Sequence, residues 1–455
     1  MKINKNLLFT ISFLTIVISF IVGYSYLNSD INSTSNVTVN KYNCNQTNLY
    51  DRLACMSVMD NVKSKYVSSS TGINFSTISS DTNGKGIYTF SSTAGDEYPI
   101  HYYRGAVDNN NVKFAGFCWK IVRTTDTGGT KLIYNGEPDE NGYCNKSDAS
   151  TQLSNKSIYN ELATPAQAGY MYKLVENGTH LPNDIINNPT LFGNDIEYDN
   201  TTGLYTLKDT ITTVGSWSAD YENIANAHHY TCGNTSNTCN SVKYVYYVES
   251  TYGSYITFKN GENIESRWNL MITPQTSSTA KTAVDTWFSQ NLSTYTTKLE
   301  DTVFCAELIR YKGGWTKDGN SADLTKFETR KRLVENVTYP EIKNCSANFS
   351  YTVDSSNGNG KLTYPAALIT GDEILLAGLV KAVENKENYL YNTTYWWGMT
   401  PIGWSESVSF VTSTGSLGTE GYMNVSRGIR PVISLNHSQV IASGDGTQNN
   451  PYVIN

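Results

Sequence analysis

The sequence predicts an α+β protein that combines antiparallel sheets with a few helices. Three observations indicate this class. Short strand patterns separated by turn residues fill residues 100–134 and recur in the last third of the chain. A helix start signal interrupts that last third. A mostly apolar run at residues 7–24 precedes both regions, and it predicts one N-terminal transmembrane helix.

Residues 100–134 are typical of a meander of three antiparallel strands. We expect strands at Ile100–Val107, Val112–Arg123 and Thr130–Tyr134, because each pattern is rich in β-branched or aromatic residues. Turn residues separate them at positions 108–111 and 126–129. The second strand is predicted to be the long one.

The last third of the chain predicts a helix followed by several strands. Thr370 and Glu373 have the spacing of a capping box, so a helix of about three turns should begin there and run through Val380. Strand patterns follow at residues 389–399, 407–412, 428–435 and 451–454.

The N-terminal run places the rest of the chain outside the cell. Lys2 and Lys5 precede the apolar run, and positive residues favour the cytoplasmic side of a membrane. The run is therefore interpreted as a single-pass membrane anchor, which makes the membrane one partner of the protein. A cleaved signal peptide is the alternative, with a small-residue site at Gly23–Ser25, and the protein would then be secreted.

The predicted domain organisation has four parts. Residues 1–24 are the anchor or signal, residues 25–43 a polar linker, residues 44–97 a small helical and loop region, and residues 98–455 the ectodomain. A large mixed insertion is expected within the ectodomain at about residues 165–345.

Eight cysteines outside the cell predict disulfide bonds rather than a metal-thiolate site. The sequence does not fix the connectivity, but proximity along the chain favours four local pairs. These pairs are Cys44–Cys55, Cys118–Cys144, Cys232–Cys239 and Cys305–Cys345.

Several stretches resemble uncharacterised secreted or anchored surface proteins of low-GC gut bacteria. The C-terminal ones are LITGDEILLAG, YWWGMTP, GIRPVISL and GDGTQNNPYVI, and upstream ones are YYRGAVDNNNVKFAGFCWKIVRTTDTGGTKLIYNGE and TAVDTWFSQNL. The resemblance implies a C-type-lectin-like fold of the formylglycine-generating-enzyme (sulfatase-modifying-factor) type. It also implies that the meander pairs with the C-terminal strands. The reactive cysteine pair of that enzyme does not carry over, because no cysteine follows Cys345.

Composition and motifs exclude several functional classes. The net charge is −7 and lysine and arginine form no cluster, which argues against a nucleic-acid partner. His228 and His229 precede two cysteines, but their spacing matches no common zinc finger. Asp108 and Asp445 lie where turns need such residues, so calcium is not predicted. Without a nucleophile elbow, zincin helix or phosphate loop, we predict neither an enzyme nor a metal or other cofactor.

A cluster of aromatic residues is the remaining candidate for a site. Because side chains alternate along a strand, either Trp396 or Trp397 should be core and the other partly exposed. Arg430 is expected to form a structural hydrogen-bonded bridge. The predicted ligand-binding residues, in the loops between Trp396 and Arg427, are Trp396, Trp397, Trp404, Glu406 and Tyr422.

These residues favour a non-catalytic adhesion-type protein whose ligand is a glycan or a protein, since exposed aromatic rings stack on sugars or anchor protein partners. Pure packing of the same rings is the simpler alternative. A structural or assembly role in the cell envelope, and an exported enzyme of unknown class, also stay open.

Overall fold

A computed structural model gives the structure of most of the chain. It describes residues 44–59, 73–83, 86–90, 97–153, 156–161, 168–172, 274–306, 327–337, 340–342, 362–402, 407–419 and 421–455, and the backbone of six further strands at residues 196–199, 204–207, 228–232, 243–248, 255–259 and 348–349. Residues Gln46–Asn455 form one compact unit. The predicted boundaries at residues 25, 44 and 98, and those of the insertion, stay predictions.

The largest sheet contains nine strands and joins the first and last parts of this unit. Its central path runs β15, β19, β5, β4, β3, β21, β20, and β1 and β2 extend from β4. The strand bounds are β1 Ile87–Phe90, β2 Ile100–Tyr103, β3 Asn111–Phe114, β4 Phe117–Thr124, β5 Thr130–Tyr134, β15 Ala366–Ala367, β19 Val432–Leu435, β20 Ile441–Ser443 and β21 Tyr452–Ile454.

The predicted pairing of the meander with the C-terminal strands is confirmed. Strand β5 pairs antiparallel with β19, with Ile133 opposite Val432. Strand β3 pairs with β21, with Val112 opposite Tyr452. Strand pairing between residues about 300 or more positions apart therefore holds the two ends of the unit together.

The predicted antiparallel sheet type is wrong, because the sheet is mixed. Strand β21 runs parallel to β3, whereas the other strand pairs of this sheet are antiparallel. Parallel and antiparallel neighbours give similar residue patterns in a buried strand, so composition does not set the strand direction. The direction follows from the turn between β20 and β21, which are themselves antiparallel.

The predicted long strand at Val112–Arg123 is two strands. Ala115 and Gly116 connect β3 to β4 and have φ angles of 52° and 83°. Positive φ at both central residues is the conformation of a type I′ hairpin turn, which suits the right-handed twist of the flanking strands. The apolar residues on either side of this turn concealed it in the sequence.

The fold-class prediction also included one N-terminal transmembrane helix, and the described residues contain no such helix. From Cys44 onward, no described helix has the length and apolar character needed to cross a bilayer. The longest described helix, Thr279–Asn291, has 13 residues, and a span needs about 20. Residues 1–24, where the anchor or signal was predicted, lie outside the described residues.

The described helices are short. They are α-helices at Leu49–Met59, Thr279–Asn291, Glu328–Arg330 and Gly371–Leu376, 3₁₀ turns at Ala149–Thr151 and Ser293–Lys298, and a π turn at Lys331–Glu335.

The predicted capping box is confirmed. The Glu373 backbone N–H donates to Thr370 Oγ1 at 3.2 Å, and the Thr370 N–H donates to the Glu373 carboxylate at 3.1 Å. The helix is shorter than the three turns expected. Gly378 follows its last turn with a φ of 92°, which is the usual left-handed end of a helix.

Smaller sheets complete the described structure. A three-stranded sheet of β16, β17 and β18 contains two residues of the predicted site, Trp396 and Trp397. Elsewhere, β9, β10 and β11 form a second three-stranded sheet, and the rest are two-stranded. The bounds are β6 Met171–Tyr172, β7 Ile196–Asp199, β8 Leu204–Leu207, β9 His228–Cys232, β10 Lys243–Val248, β11 Tyr255–Lys259, β12 Thr276–Ser277, β13 Phe304–Cys305, β14 Asn348–Phe349, β16 Trp396–Pro401, β17 Val408–Val411 and β18 Leu417–Gly418.

Disulfide bonds are present, and one predicted pair is confirmed directly. Cys118 in β4 is bonded to Cys144, with their Cα atoms 5.6 Å apart. Cys44, Cys55 and Cys305 are also disulfide-bonded. The other predicted cysteines are Cys345, Cys239 and the side chain of Cys232, and they lie outside the described residues.

Replacing both Cys118 and Cys144 with serine should lower the free energy of unfolding by about 2–4 kcal/mol, because the disulfide restricts the unfolded chain. Urea unfolding of the wild type and the double variant, each without reductant, measures the difference. Identical midpoints would show that this disulfide does not contribute to stability.

Candidate functional site

Both predicted tryptophans of β16 are fully buried. Trp396 and Trp397 each have 0% of their surface exposed, so the expectation of one partly exposed ring is wrong. The Trp397 indole N–H donates to the Ser157 carbonyl at 2.9 Å, and the Trp396 ring lies under the Arg430 guanidinium at 4.8 Å. All six residues of strand β16 are buried, so both faces of the strand are covered. Side chains that alternate between the two faces are therefore all buried.

Of the other three predicted site residues, only Tyr422 is described, and it lies at the surface. Tyr422 is 39% exposed, and its segment pairs with Ser407 across an isolated bridge. Trp404 and Glu406 lie outside the described residues. Tyr422 is therefore the only predicted ligand-binding residue that the described structure places at the surface.

Three aromatic rings surround Arg427 next to Tyr422. The guanidinium carbon lies 3.8 Å from the Phe410 ring centroid, 4.8 Å from Trp397 and 5.1 Å from Tyr395. We call these four residues the Arg427 cluster. Its members come from the start of β16 and the residue before it, from β17 and from the segment before β19, so the fold brings together residues up to 32 positions apart in sequence.

Glycine allows the close approach of backbone to this cluster. A methyl group at Gly421 would overlap the Arg427 guanidinium and lie 2.6 Å from Phe410 Cε1. A methyl group at Gly418 would overlap the Phe410 ring as well. Small residues at these two positions let the Tyr422 segment lie directly against the guanidinium.

The outer side of the Arg427 cluster is an exposed aromatic and apolar face. Tyr395 is 42% exposed, Tyr422 39% and Val425 43%. The Val425 N–H donates to the Tyr422 carbonyl, which closes a turn beside Arg427. We call these three residues the exposed face. They are half of the large hydrophobic side chains exposed in the described ranges, the others being Ile78, Val383 and Val440.

The Arg427 guanidinium has an unusual electrostatic environment. Burial lowers its pKa to about 10, and the neighbouring Tyr395 acts in the opposite direction. The group therefore keeps its positive charge at neutral pH. Its Nε atom is buried without a hydrogen-bond partner. The aromatic faces are its only described contacts, and they attract a cation through their quadrupoles.

Arg430 has a different role, and the predicted structural bridge is confirmed. It donates to the Tyr134 carbonyl at 2.9 Å, to Asn135 Oδ1 at 2.8 Å and to the Leu390 carbonyl at 3.4 Å. The side chain is buried. These bonds connect the nine-stranded sheet to the loop before β16.

A second cluster of charges lies in the core. Glu373 Oε1 accepts from Arg123 Nε and Lys131 Nζ, both at 2.8 Å, and all three side chains are at most 3% exposed. Burial would raise the pKa of the Glu373 carboxyl, but the two cations lower it to about 2. Burial and the Arg123 charge lower the pKa of Lys131 to about 7, since one carboxylate faces two cations.

The side chains of this core cluster contact only other parts of the protein in the described structure. Its partners are the capped helix, the Val303 carbonyl and the Ile342 carbonyl, which are all parts of the fold itself. No group of three or more His, Cys, Asp and Glu side chains in the described ranges is placed to hold a metal ion. The exposed face beside Arg427 is therefore the candidate site.

Comparisons with known proteins leave this site to be interpreted from its own geometry. No family model matches the chain, and neither a curated protein nor a solved structure matches it. The resemblance to surface proteins of gut bacteria stays a prediction.

The predicted segment includes part of the exposed face, but the sequence pattern did not single out two central residues of the Arg427 cluster. Phe410 resembles any buried strand residue, and Arg427 served only to mark the end of the predicted loops. The available signal was Gly418 and Gly421, since two glycines flanking a strand pattern indicate close approach of backbone to a neighbour.

Proposed function

We propose that this chain is an exported bacterial protein that binds a glycan through the exposed face of Tyr395, Tyr422 and Val425. The observation that carries the proposal is the pair of tyrosines, each about two-fifths exposed, beside a charged arginine whose side chain gives no hydrogen bond to a described residue. Aromatic rings in this position offer flat surfaces to the C–H faces of a sugar, and their hydroxyls offer hydrogen bonds.

The disulfide chemistry supports the exported location. Cys118–Cys144 joins strand β4 of the main sheet to a loop, and Cys44, Cys55 and Cys305 are bonded too. Disulfides persist in oxidising compartments and are rare in a reducing cytosol. The rarity of exposed aromatic side chains elsewhere in the described ranges supports the site.

Truncating either exposed tyrosine should weaken saccharide binding by about 1–2 kcal/mol, roughly a tenfold rise in Kd, because aromatic residues dominate binding energy at such sites. A glycan and protein array probed with the full chain identifies the ligand. Calorimetry then compares the wild type with Tyr395→Ala and Tyr422→Ala.

The matched control is Val440→Ala, which removes an exposed apolar side chain outside this face and should leave Kd unchanged. Trp404→Ala and Glu406→Ala test the two predicted residues outside the described ranges. A full chain that binds no array member, or tyrosine variants that bind like the wild type, would contradict the proposal. Self-association without saccharide binding would favour a structural role in the envelope.

A further inference from the structure

We infer that the saccharide carries a carboxylate group and that Arg427 binds this group. The inference rests on the proposed function, and it specifies the ligand chemistry of the same site. Its basis is a comparison of Arg427 with the other arginines of the described chain.

Six other arginines lie in the described ranges, and each donates a hydrogen bond to an oxygen of the protein. The bonds are Arg52 to the Gln46 carbonyl, Arg104 to the Leu375 carbonyl, Arg123 to Glu373, Arg330 to Glu335, Arg332 to Asp372 and Arg430 to the Tyr134 carbonyl. Among these seven, only the Arg427 side chain contacts aromatic faces without also donating a hydrogen bond to an oxygen of a described residue.

A partly buried guanidinium without an oxygen partner is poised to accept an anion. Removal from water costs free energy that the other six arginines offset through hydrogen bonds. The rings around Arg427 offset part of this cost and also hold its planar group in one orientation. A guanidinium held in this way loses little entropy when it binds an oxyanion through two parallel hydrogen bonds.

The charge at the site favours a carboxylate over a phosphate. Arg427 is the only cation that contacts the rings of its cluster in the described structure. A single guanidinium neutralises one negative charge, whereas phosphate sites combine several cations or backbone amides. The chain as a whole is acidic, with a net charge of −7, so it attracts an acidic ligand only through such a local cation.

The sheet next to the site does not favour a peptide ligand. Peptides commonly bind by adding a strand to an open sheet edge. Strand β18 is the edge strand here, but it has only two residues. Its Leu417 N–H already donates to the Val380 carbonyl, and Lys381 bridges to it. The exposed tyrosines are therefore better suited to a sugar, which can stack on an aromatic ring, than to an extended chain.

The test compares acidic saccharides with neutral counterparts of the same size. Calorimetry with the full chain measures Kd for trigalacturonic acid against its methyl ester, for sialyllactose against lactose, and for a galactose phosphate against galactose. The wild type should bind at least one acidic sugar about tenfold more tightly than its neutral counterpart. Added salt should weaken only the acidic complex, because it screens the charges.

Arg427→Gln should remove the preference, and Arg427→Lys should retain part of it, because lysine keeps the charge but lacks the planar fork. Thermal unfolding of both variants shows whether they keep the fold, and Lys113→Gln is the control for loss of a positive charge away from the cluster.

Equal Kd values for acidic and neutral sugars in the wild type, or an acidic preference that persists in a folded Arg427→Gln protein, would overturn the inference. The proposed function would survive if the tyrosine variants still lose binding. Tighter binding of the phosphate sugar than of either carboxylate sugar would also overturn it. A wild type that binds no saccharide of either kind would overturn both.

Discussion

Glu373→Ala should lower the free energy of unfolding by about 3–5 kcal/mol, because it leaves two buried cations without their carboxylate. Arg123 and Lys131 both contact Glu373 Oε1 at 2.8 Å and cannot reach solvent. The substitution also removes the acceptor of the Thr370 N–H in the capping box. Urea unfolding of the wild type and the variant at neutral pH measures the loss.

The matched control is Glu384→Ala. Glu384 also faces a lysine, Lys386, but at 3.8 Å and with both side chains more than half exposed. Exposed pairs contribute little, so this variant should unfold like the wild type. A Glu373→Ala protein as stable as the Glu384→Ala protein would show that the core cluster does not stabilise the fold.

The effect of Glu373 should also depend on pH. Its pKa is about 2 in the folded protein against 4.5 for the free group. A lowered folded pKa means that the ionised form stabilises the fold above pH 4.5, and that this contribution disappears as pH falls toward 2. The stability difference between wild type and Glu373→Ala should therefore be largest above pH 4.5 and shrink in acid. A constant difference would contradict the ionic explanation.

Arg430→Met should lower the free energy of unfolding by about 3–4 kcal/mol, because it leaves three buried oxygens without a donor. These are the carbonyls of Tyr134 and Leu390 and Asn135 Oδ1. Methionine fills much of the volume next to Trp396, so the loss reports mainly on hydrogen bonds. Urea unfolding measures it.

Arg427→Met is the matched comparison, three positions away in the same segment. The side chain of this arginine gives no hydrogen bond to a described residue and only packs on rings, which methionine does as well. We expect a stability loss of about 1 kcal/mol or less from the missing cation–π attraction. Equal losses for the two variants would contradict the separate roles assigned to Arg430 and Arg427.

The sequence predicted those parts of the fold that depend on neighbouring residues. Thr370 and Glu373 specify their capping box through their spacing alone, and the structure has both of its hydrogen bonds. The Cys118–Cys144 bond was predictable for a similar reason, since proximity in sequence raises the chance of contact. The sequence pattern did not reveal the turn at Ala115 and Gly116, because only two residues form it. The predicted long strand is therefore two strands in the structure.

The candidate site could be predicted only in part. Tyr422 was identified, but Trp396 and Trp397 are core residues, and Arg427 was not recognised as the centre. Whether a ring is exposed depends on what covers both faces of its strand, and the covering segments are distant in sequence. The Ser157 carbonyl that binds Trp397 is 240 positions away.

By itself, the sequence determined the capped helix, the meander, one disulfide and the role of Arg430 as a buried bridge. The tertiary structure decided the direction of the final strand and the position of Arg427 among three rings. The physical reason is the separation of the contacting residues along the chain. The spacing of residue types in a sequence predicts contacts between residues that are a few positions apart. Burial, charge pairing and strand direction arise only when segments such as β3 and β21, more than 300 residues apart, meet in space.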